Sequence, residues 1–404
     1  MNPSPLHIAI IWQRFLPYHV ARIRHLLACC ETNGHKLTVI EVASQDAAYA
    51  FPNVESGDFD HICCFKGLSY HRLGIDEIRH KVFSNLDTMR PDVVLAPATP
   101  FPEGMAAYAY CLSAGKKAVM MDDAWEHTDQ RGGLTRFIKR QIHRNIDAAF
   151  VPATSHAPYY ERLGFPRERI IFGVDVVDNE YFALNAEIAR TRAKAVRQRL
   201  GLPENYFLFV GRFLPRKGLE CLVEAYQSYR QQVLDRQWPL VLVGSGEHLE
   251  SVQKKAGGTE GIIYAGPKFG DDLASLFGLA SALVVPSDID PWALVVNEGM
   301  ASSLPVIVSR GCGAAQTLVR EGENGWTFEP GDANTLAHLM AVMSGLSADE
   351  LAGMGEKSKD IIADWSLDRF VDGVMKAIEV PRRPSAGLLS KLATKLWKGR
   401  VSVN

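Results

Sequence analysis

Short apolar runs alternate with segments of helical period from one end of the chain to the other. In the first half the runs are residues 7–12, 36–42, 61–65, 92–96, 116–121, 148–151 and 169–172, and segments 20–30, 75–89, 103–114, 134–145 and 155–163 between them carry helical spacing. The runs are continuously apolar instead of alternating, as strands are when helices cover both faces of a sheet. Strand and helix in strict succession predict βαβ units and a parallel, doubly wound sheet. A polar stretch rich in Arg and Ala, 187–199, leads to Gly201-Leu202-Pro203, where the alternation restarts. Strands are expected at 206–210, 240–243, 262–264, 282–285, 306–308 and 326–328, with helices at 218–232, 247–255, 271–279, 294–302 and 333–344. The expected fold class is therefore α/β, with two Rossmann-like domains facing a central cleft. The first would cover 1–190, joined by C-terminal helices from 365–404, and the second 200–360. In open α/β sheets the ligand lies beyond the carboxyl ends of the strands.

A length of 404 residues fits two domains better than one core. Hydrophobic residues at 47% and charged residues at 22% are those of a soluble globular protein, and a net charge of -2 gives no general reason to expect a nucleic-acid partner. The start, Met1-Asn2-Pro3-Ser4-Pro5-Leu6-His7, has no charged lead before its short apolar run, and no window approaches a membrane span. Seven cysteines, including the adjacent pairs Cys29-Cys30 and Cys63-Cys64, show no metal-ligand spacing. Core thiols in a reducing, cytoplasmic setting are expected, with no metal site.

The tail departs from this balance. Residues 381–404 hold six Lys or Arg and no acidic residue, with Leu388, Leu389, Leu392, Leu396 and Trp397 on one helical face. A second cationic stretch contains Arg131, Arg136, Lys139, Arg140, His143 and Arg144, the last five on one helical side by their spacing. Either a solvated face or an anionic partner accounts for it. A basic amphipathic helix such as the tail can lie at an anionic membrane surface, or it can pack across the first domain.

Chemistry concentrates after the strands of the second half. Phe207-Leu208-Phe209-Val210-Gly211-Arg212 ends a strand, and Pro215-Arg216-Lys217-Gly218 opens a helix. Two cations beside a helix start form either an anion site or a solvated turn. Further on, Asp290-Pro291-Trp292-Ala293-Leu294-Val295 leads into a helix bearing Glu298, eight residues after Asp290. One carboxylate in the loop and one on the helix could accept hydrogen bonds from two neighbouring sugars, or be a helix cap and a surface acid.

These segments resemble the retaining GT-B glycosyltransferases of glycosyltransferase family 4. The similarity lies in Gly211-Arg212 with Lys217-Gly218, in Asp290 to Glu298 against a Glu-x7-Glu pattern, in Leu240-Val241-Leu242-Val243-Gly244-Ser245-Gly246, and in Gly322-Glu323-Asn324-Gly325-Trp326. It is detailed from Tyr206 to about Leu339 and looser over 151–175. The resemblance implies transfer of a sugar from a UDP- or GDP-type donor to a glycan or polyprenyl-diphosphate-linked acceptor, without metal or other cofactor. It gives Arg212 and Lys217 the donor diphosphate, Glu298 the ribose and Asp290 the donor sugar. Backbone N–H groups of Trp292, Ala293, Leu294 and Val295 would add diphosphate contacts, and Gly266 and Lys268 would lie beside the base. Asp290 stands where Glu is usual, Ala293 where Gly is usual, and Ser302-Ser303 where Cys-Gly is usual. On the acceptor side Arg14 and His19 follow the first strand in place of a Gly-Gly turn, with Arg136, Lys139 and Arg140 nearby candidates. Asp123 or His127, after the strand at 116–121, would meet the donor sugar or the attacking hydroxyl, with helix capping an equal alternative.

Overall fold

The computed structural model describes residues 4–45, 58–128, 132–384 and 386–401. These divide into two compact units, one running to Val176 and resuming at Leu367, the other Val177–Ser366. The first holds strands β1 (His7–Trp12), β2 (Lys36–Gln45), β3 (His61–Ser69), β4 (Val93–Pro97), β5 (Lys117–Met121), β6 (Ala148–Val151) and β7 (Ile170–Phe172), in the order β3-β2-β1-β4-β5-β6-β7. The second holds β8 (Phe207–Val210), β9 (Leu240–Val243), β10 (Ile262–Gly266), β11 (Ala282–Val285), β12 (Val306–Ser309) and β13 (Gly325–Phe328), in the order β10-β9-β8-β11-β12-β13. Every pairing between these strands is parallel. The strands β9, β11 and β12 are buried along their whole length, which is why their sequences are almost entirely Val, Leu and Ile, with only Ala282 and Ser309 besides. Chain order reverses between β1 and β4 in one sheet and between β8 and β11 in the other. Those are the positions where doubly wound sheets open a crevice.

The first unit ends earlier than the expected 1–190. Stretch 187–199, read from sequence as a polar link, is helical: Asn179–Thr191, then Ala193–Leu200. Asp178 caps the first by accepting from the Tyr181 N–H, and Gly201, at φ 67, ends the second. Asn179–Thr191 belongs to the second unit because its small residues pack closely on helix Gly270–Leu279. A Cβ on Gly278 would stand 2.6 Å from the Ala186 Cα. A buried face made of Phe182, Ala186 and Ala189 carries little hydrophobic signal among the arginines around it.

The chain returns to the first unit at helix Leu367–Glu379, whose Phe370 meets Phe150 of β6 with ring centroids 5.5 Å apart. Arg22, on helix Pro17–Thr32, lies buried beside this helix. It donates to the Val176 carbonyl at 2.7 Å, pairs with Asp175, and lies over the Phe370 ring. The last helix, Leu388–Leu396, packs on helices Gly133–His143 and Pro102–Ala114. None of the described helices is long and apolar enough to cross a membrane.

Candidate functional site

The loops at the carboxyl ends of β8, β9, β10, β11 and β12 are drawn together by close backbone approaches. A Cβ on Gly244 would stand 1.9 Å from the Gly211 carbonyl oxygen, and one on Gly246 would stand 2.3 Å from that of Phe213. Gly218, at φ +67, brings the loop after β8 against β11, where a Cβ would stand 2.0 Å from the Pro286 oxygen. Only glycine allows these contacts. The Asp288 N–H donates to the Arg216 carbonyl, and the Asp290 N–H to that of Gly311, so the loops after β8, β11 and β12 are fastened in one layer.

At the β8/β11 reversal Lys217 Nζ and an Asp290 carboxylate oxygen are 2.5 Å apart, with side-chain exposures of 18% and 10%. The structure thus joins the residues expected to hold the diphosphate and the donor sugar into one ion pair. Arg212 is half-buried in the same loop. Trp292 is buried, its indole N–H donating to Asn297 Oδ1 at 2.9 Å. Ala293 adopts φ 74, ψ 70 immediately before helix Leu294–Ala301. That left-handed geometry accounts physically for a position where glycine is the easier residue. The first amides of that helix, Leu294 and Val295, precede its intrahelical bonds and are available to an anion.

Glu298 lies on the same helix. Burial alone pushes its carboxyl up to about 8, and among the described residues none donates a hydrogen bond to it. The residue is half-buried, so the carboxyl keeps an accessible edge to which water or vicinal hydroxyls can donate. Gly266 accepts at its carbonyl from the Gly244 N–H, whereas Lys268 folds back to donate to the Ala265 carbonyl at 2.7 Å.

In the first unit the loop after β1 is held from below. Glu41 accepts from the Phe15 N–H at 2.8 Å, and Arg14 is 7% exposed. His19 Nδ1 lies 3.2 Å from the Leu16 nitrogen and 3.1 Å from the Arg14 carbonyl, closing the start of its helix, and its ring stacks on Trp12. Burial, then Arg22, holds His19 well below the usual imidazole range, so it is a neutral cap and not a cation for phosphate. Asp123 and His127 are exposed after β5, His127 with its ring 4.5 Å from that of Trp125.

The cationic helix is divided by the fold. Lys139 is buried 3.4 Å from the Tyr159 hydroxyl, and His143 is buried with Nδ1 on the Leu163 carbonyl, pushed down to about 3 by burial and then Lys139. Lys139 is therefore not on the exposed face with Arg136 and Arg140; among the described residues of the stretch those two and Arg144 reach the surface. Arg131 lies outside the described residues. Trp397 also leaves the leucine face: its indole donates to the Thr99 carbonyl, because a large ring completes the first core better than it would lie in water.

Sequence reasoning passed over three supports, Asn297, Glu41 and Glu103. Glu103 is fully buried, accepts from the Tyr70 hydroxyl and is pushed up to about 7 by burial. Each is a polar residue flanked by apolar residues on at least one side in its element, and that contrast is the signal that could have found it.

Residues 192–359 match the family model of glycosyl transferases group 1. An uncharacterized glycosyltransferase of Methanocaldococcus jannaschii is 32% identical over 178 residues, 43% of this chain and 48% of that protein. The D-inositol 3-phosphate glycosyltransferase of Salinispora arenicola is 31% identical over 204 residues, 46% of this chain and 44% of that one. The chain spans about half the length of the curated relatives it matches. A solved glycosyltransferase of Rickettsia africae has a TM-score of 0.71 at 16% identity, covering 92% of this chain and 97% of its own. Anabaena HepE, solved with UDP and glucose, has a TM-score of 0.71 at 15% identity, covering 92% of this chain and 99% of its own. At such identities the likeness establishes the fold, which is of the GT-B type with two Rossmann-like sheets.

Proposed function

We propose that this chain is a retaining glycosyltransferase of family 4, moving a hexose from a nucleoside-diphosphate sugar to a hydroxyl of a glycan or lipid-linked acceptor. The observation that carries this reading is the Glu298 carboxyl, half-buried, pushed up by burial and without a donor among the described residues, eight residues from an aspartate paired to Lys217 at the β8/β11 reversal. Ribose hydroxyls supply the donors Glu298 lacks. The diphosphate lies at the start of helix Leu294–Ala301, where the first amides, Arg212 and Lys217 face its charge. As the sugar–phosphate bond breaks, those cations stabilise the negative charge growing on the leaving diphosphate, in the place of a divalent metal. Lys217 then passes from Asp290 to phosphate, which releases the Asp290 carboxylate to the hydroxyls of the donor sugar. The acceptor hydroxyl attacks from the face the diphosphate leaves, and a phosphate oxygen takes its proton. The UDP-bound fold neighbour supports a nucleotide donor, and the relative named for inositol 3-phosphate supports a phosphorylated acceptor.

Ala293 in a left-handed conformation, with Asp290 one methylene short of the usual Glu, favours a second reading: a nucleotide-sugar binder with weakened turnover. Thermal-shift screening against UDP, GDP and their sugars, followed by a transfer assay on the stabilising donor, separates the two. Stabilisation with turnover supports the enzyme, and stabilisation without turnover the binder. If Arg212→Ala/Lys217→Ala binds every nucleotide as well as the parent, both readings fail.

A further inference from the structure

The last helix is docked with its apolar side outward. Ser390 and Thr394 are buried at 2% and 0%, tied to helix Gly133–His143 and its C-terminal turn. Ser390 Oγ donates to Gln141 Oε1, and Asn145 Nδ2 donates to the Ser390 carbonyl and to Thr394 Oγ1. Leu388, Leu392 and Leu396 follow one another at helical spacing, with Leu389 beside them, nearly opposite Ser390 and Thr394 on the helical wheel. They are 73%, 43%, 73% and 57% exposed, respectively. On the helix beneath, Leu134 and Phe137 are exposed too. The helix does not swing free: Trp397 is anchored on Thr99, Arg79 donates to the Trp397 carbonyl at 2.9 Å, and the Arg400 N–H donates to Pro100. An isolated amphipathic helix would turn these leucines inward, so their outward placement is fixed by the fold.

A cavity of about 390 Å³ opens at the start of this helix, lined by Arg144, Arg169, Arg383 and Gly387 among others. Arg383 lies over the Phe165 ring, and its Nε and Nη2 are buried without a hydrogen-bond partner among the described residues. Arg169 donates to the carbonyls of Asp147 and Pro381. The nearby carboxylate Asp147 is engaged by the Arg383 and Ala118 N–H groups. Exposed Arg136, Arg140, Lys395 and half-buried Lys391 surround the leucines, and neither 132–146 nor 386–401 contains an acidic residue. A second copy of this face would set cation against cation, which opposes self-association. An apolar strip with a cationic rim complements a surface that is apolar within and anionic at its edge.

We infer that helix Leu388–Leu396 and helix Gly133–His143 together form a rigid docking face for an anionic phospholipid bilayer, the leucines entering the acyl boundary and the three-arginine cavity taking a lipid headgroup phosphate. The face lies wholly in the first unit and does not depend on the nucleotide site. It would hold the protein where a lipid-linked acceptor is found.

Co-sedimentation of the full chain with vesicles of phosphatidylcholine, with or without phosphatidylglycerol, tests this at low and high salt. The parent protein is expected to bind the anionic vesicles at least about tenfold more tightly than the neutral ones, and salt is expected to weaken that binding. Leu388→Ser/Leu392→Ser/Leu396→Ser should lower binding to anionic vesicles by at least about tenfold, because each buried side chain contributes to partition. Arg144→Glu/Lys391→Glu should do the same while leaving the leucines in place. Both variants alter surface positions, so unchanged melting temperature and unchanged nucleotide-induced stabilisation are expected alongside. Equal parent binding to both vesicle types overturns the inference, as does a leucine variant that binds like the parent. So does inorganic phosphate stabilising a parent that ignores vesicles, or a parent dimer that the leucine variant makes monomeric.

Discussion

Replacing Glu298 by Gln isolates the cost of keeping a half-buried carboxyl in the candidate site. Its ordinary value is 4.5 and the fold holds it at about 8. Between those values the carboxyl is protonated in the folded protein and ionised in the unfolded chain. Stability is therefore complete below 4.5 and is lost as pH rises through about 8. At 1.36 kcal/mol per unit the whole gap is about 5 kcal/mol. An edge of the side chain remains accessible, so about 2 kcal/mol is the expected loss. Glutamine keeps the shape but adds an unpaired amide at every pH, so the absolute melting temperature is the wrong readout. The readout is how the difference between variant and parent changes with pH. Between about pH 5 and pH 8.5 that difference should move in favour of glutamine by about 4–8 °C, the response of a unit this size to 2 kcal/mol. The same variant should weaken nucleotide-sugar binding by at least about tenfold, through the lost acceptor for ribose. A temperature difference that is equal at both pH values would refute the desolvation argument. Unchanged nucleotide affinity would refute the role.

Three further outcomes follow from the same geometry. Ala293→Gly relieves a left-handed alanine, and, after glycine's larger unfolded-state entropy is offset, should stabilise the protein by about 0.5–1 kcal/mol; an unchanged or lower urea midpoint means the strain is absent. Lys217→Ala leaves Asp290 buried without its partner and should cost about 2–3 kcal/mol, whereas adding Asp290→Ala should recover much of it; simple additivity in denaturant titrations would count against a coupled pair. His143, held at about 3 against an ordinary 6.5, gives stability that is complete above 6.5 and lost as pH falls toward 3. His143→Gln should therefore keep about 2–3 kcal/mol near pH 4 that the parent loses, measured by acid unfolding.

The strands were legible because fully buried parallel strands leave no alternation to misread: β1, β6, β9 and β11 begin and end where the apolar runs do. Helix Asn179–Thr191 was not, because its buried face is Phe182 with two alanines while Leu184 and Ile188 stand exposed, so the large apolar residues mark no single face. The domain boundary went astray with it. The basic helix misled in the opposite sense. Spacing placed five cations on one side, but a long aliphatic stem lets Lys139 reach Tyr159 from within, and a neutral imidazole can be buried where an imidazolium cannot.

The candidate site shows the same limit at the level of charge. Motif spacing singled out Lys217, Asp290 and Glu298, but it counted Lys217 as a free cation and Asp290 as a free acceptor. In the fold they neutralise each other at 2.5 Å, while Glu298 has no hydrogen-bond partner among the described residues and burial disfavours its charge. Lys217 and Asp290 together thus add no net charge to the candidate site. A diphosphate that draws Lys217 away must separate a pair at 18% and 10% exposure, and only a ligand offering hydroxyls to the Asp290 carboxylate avoids leaving it stranded. Nucleotide without sugar should therefore bind less tightly than nucleotide sugar, because the sugar, not the phosphate, repays the lost ion pair.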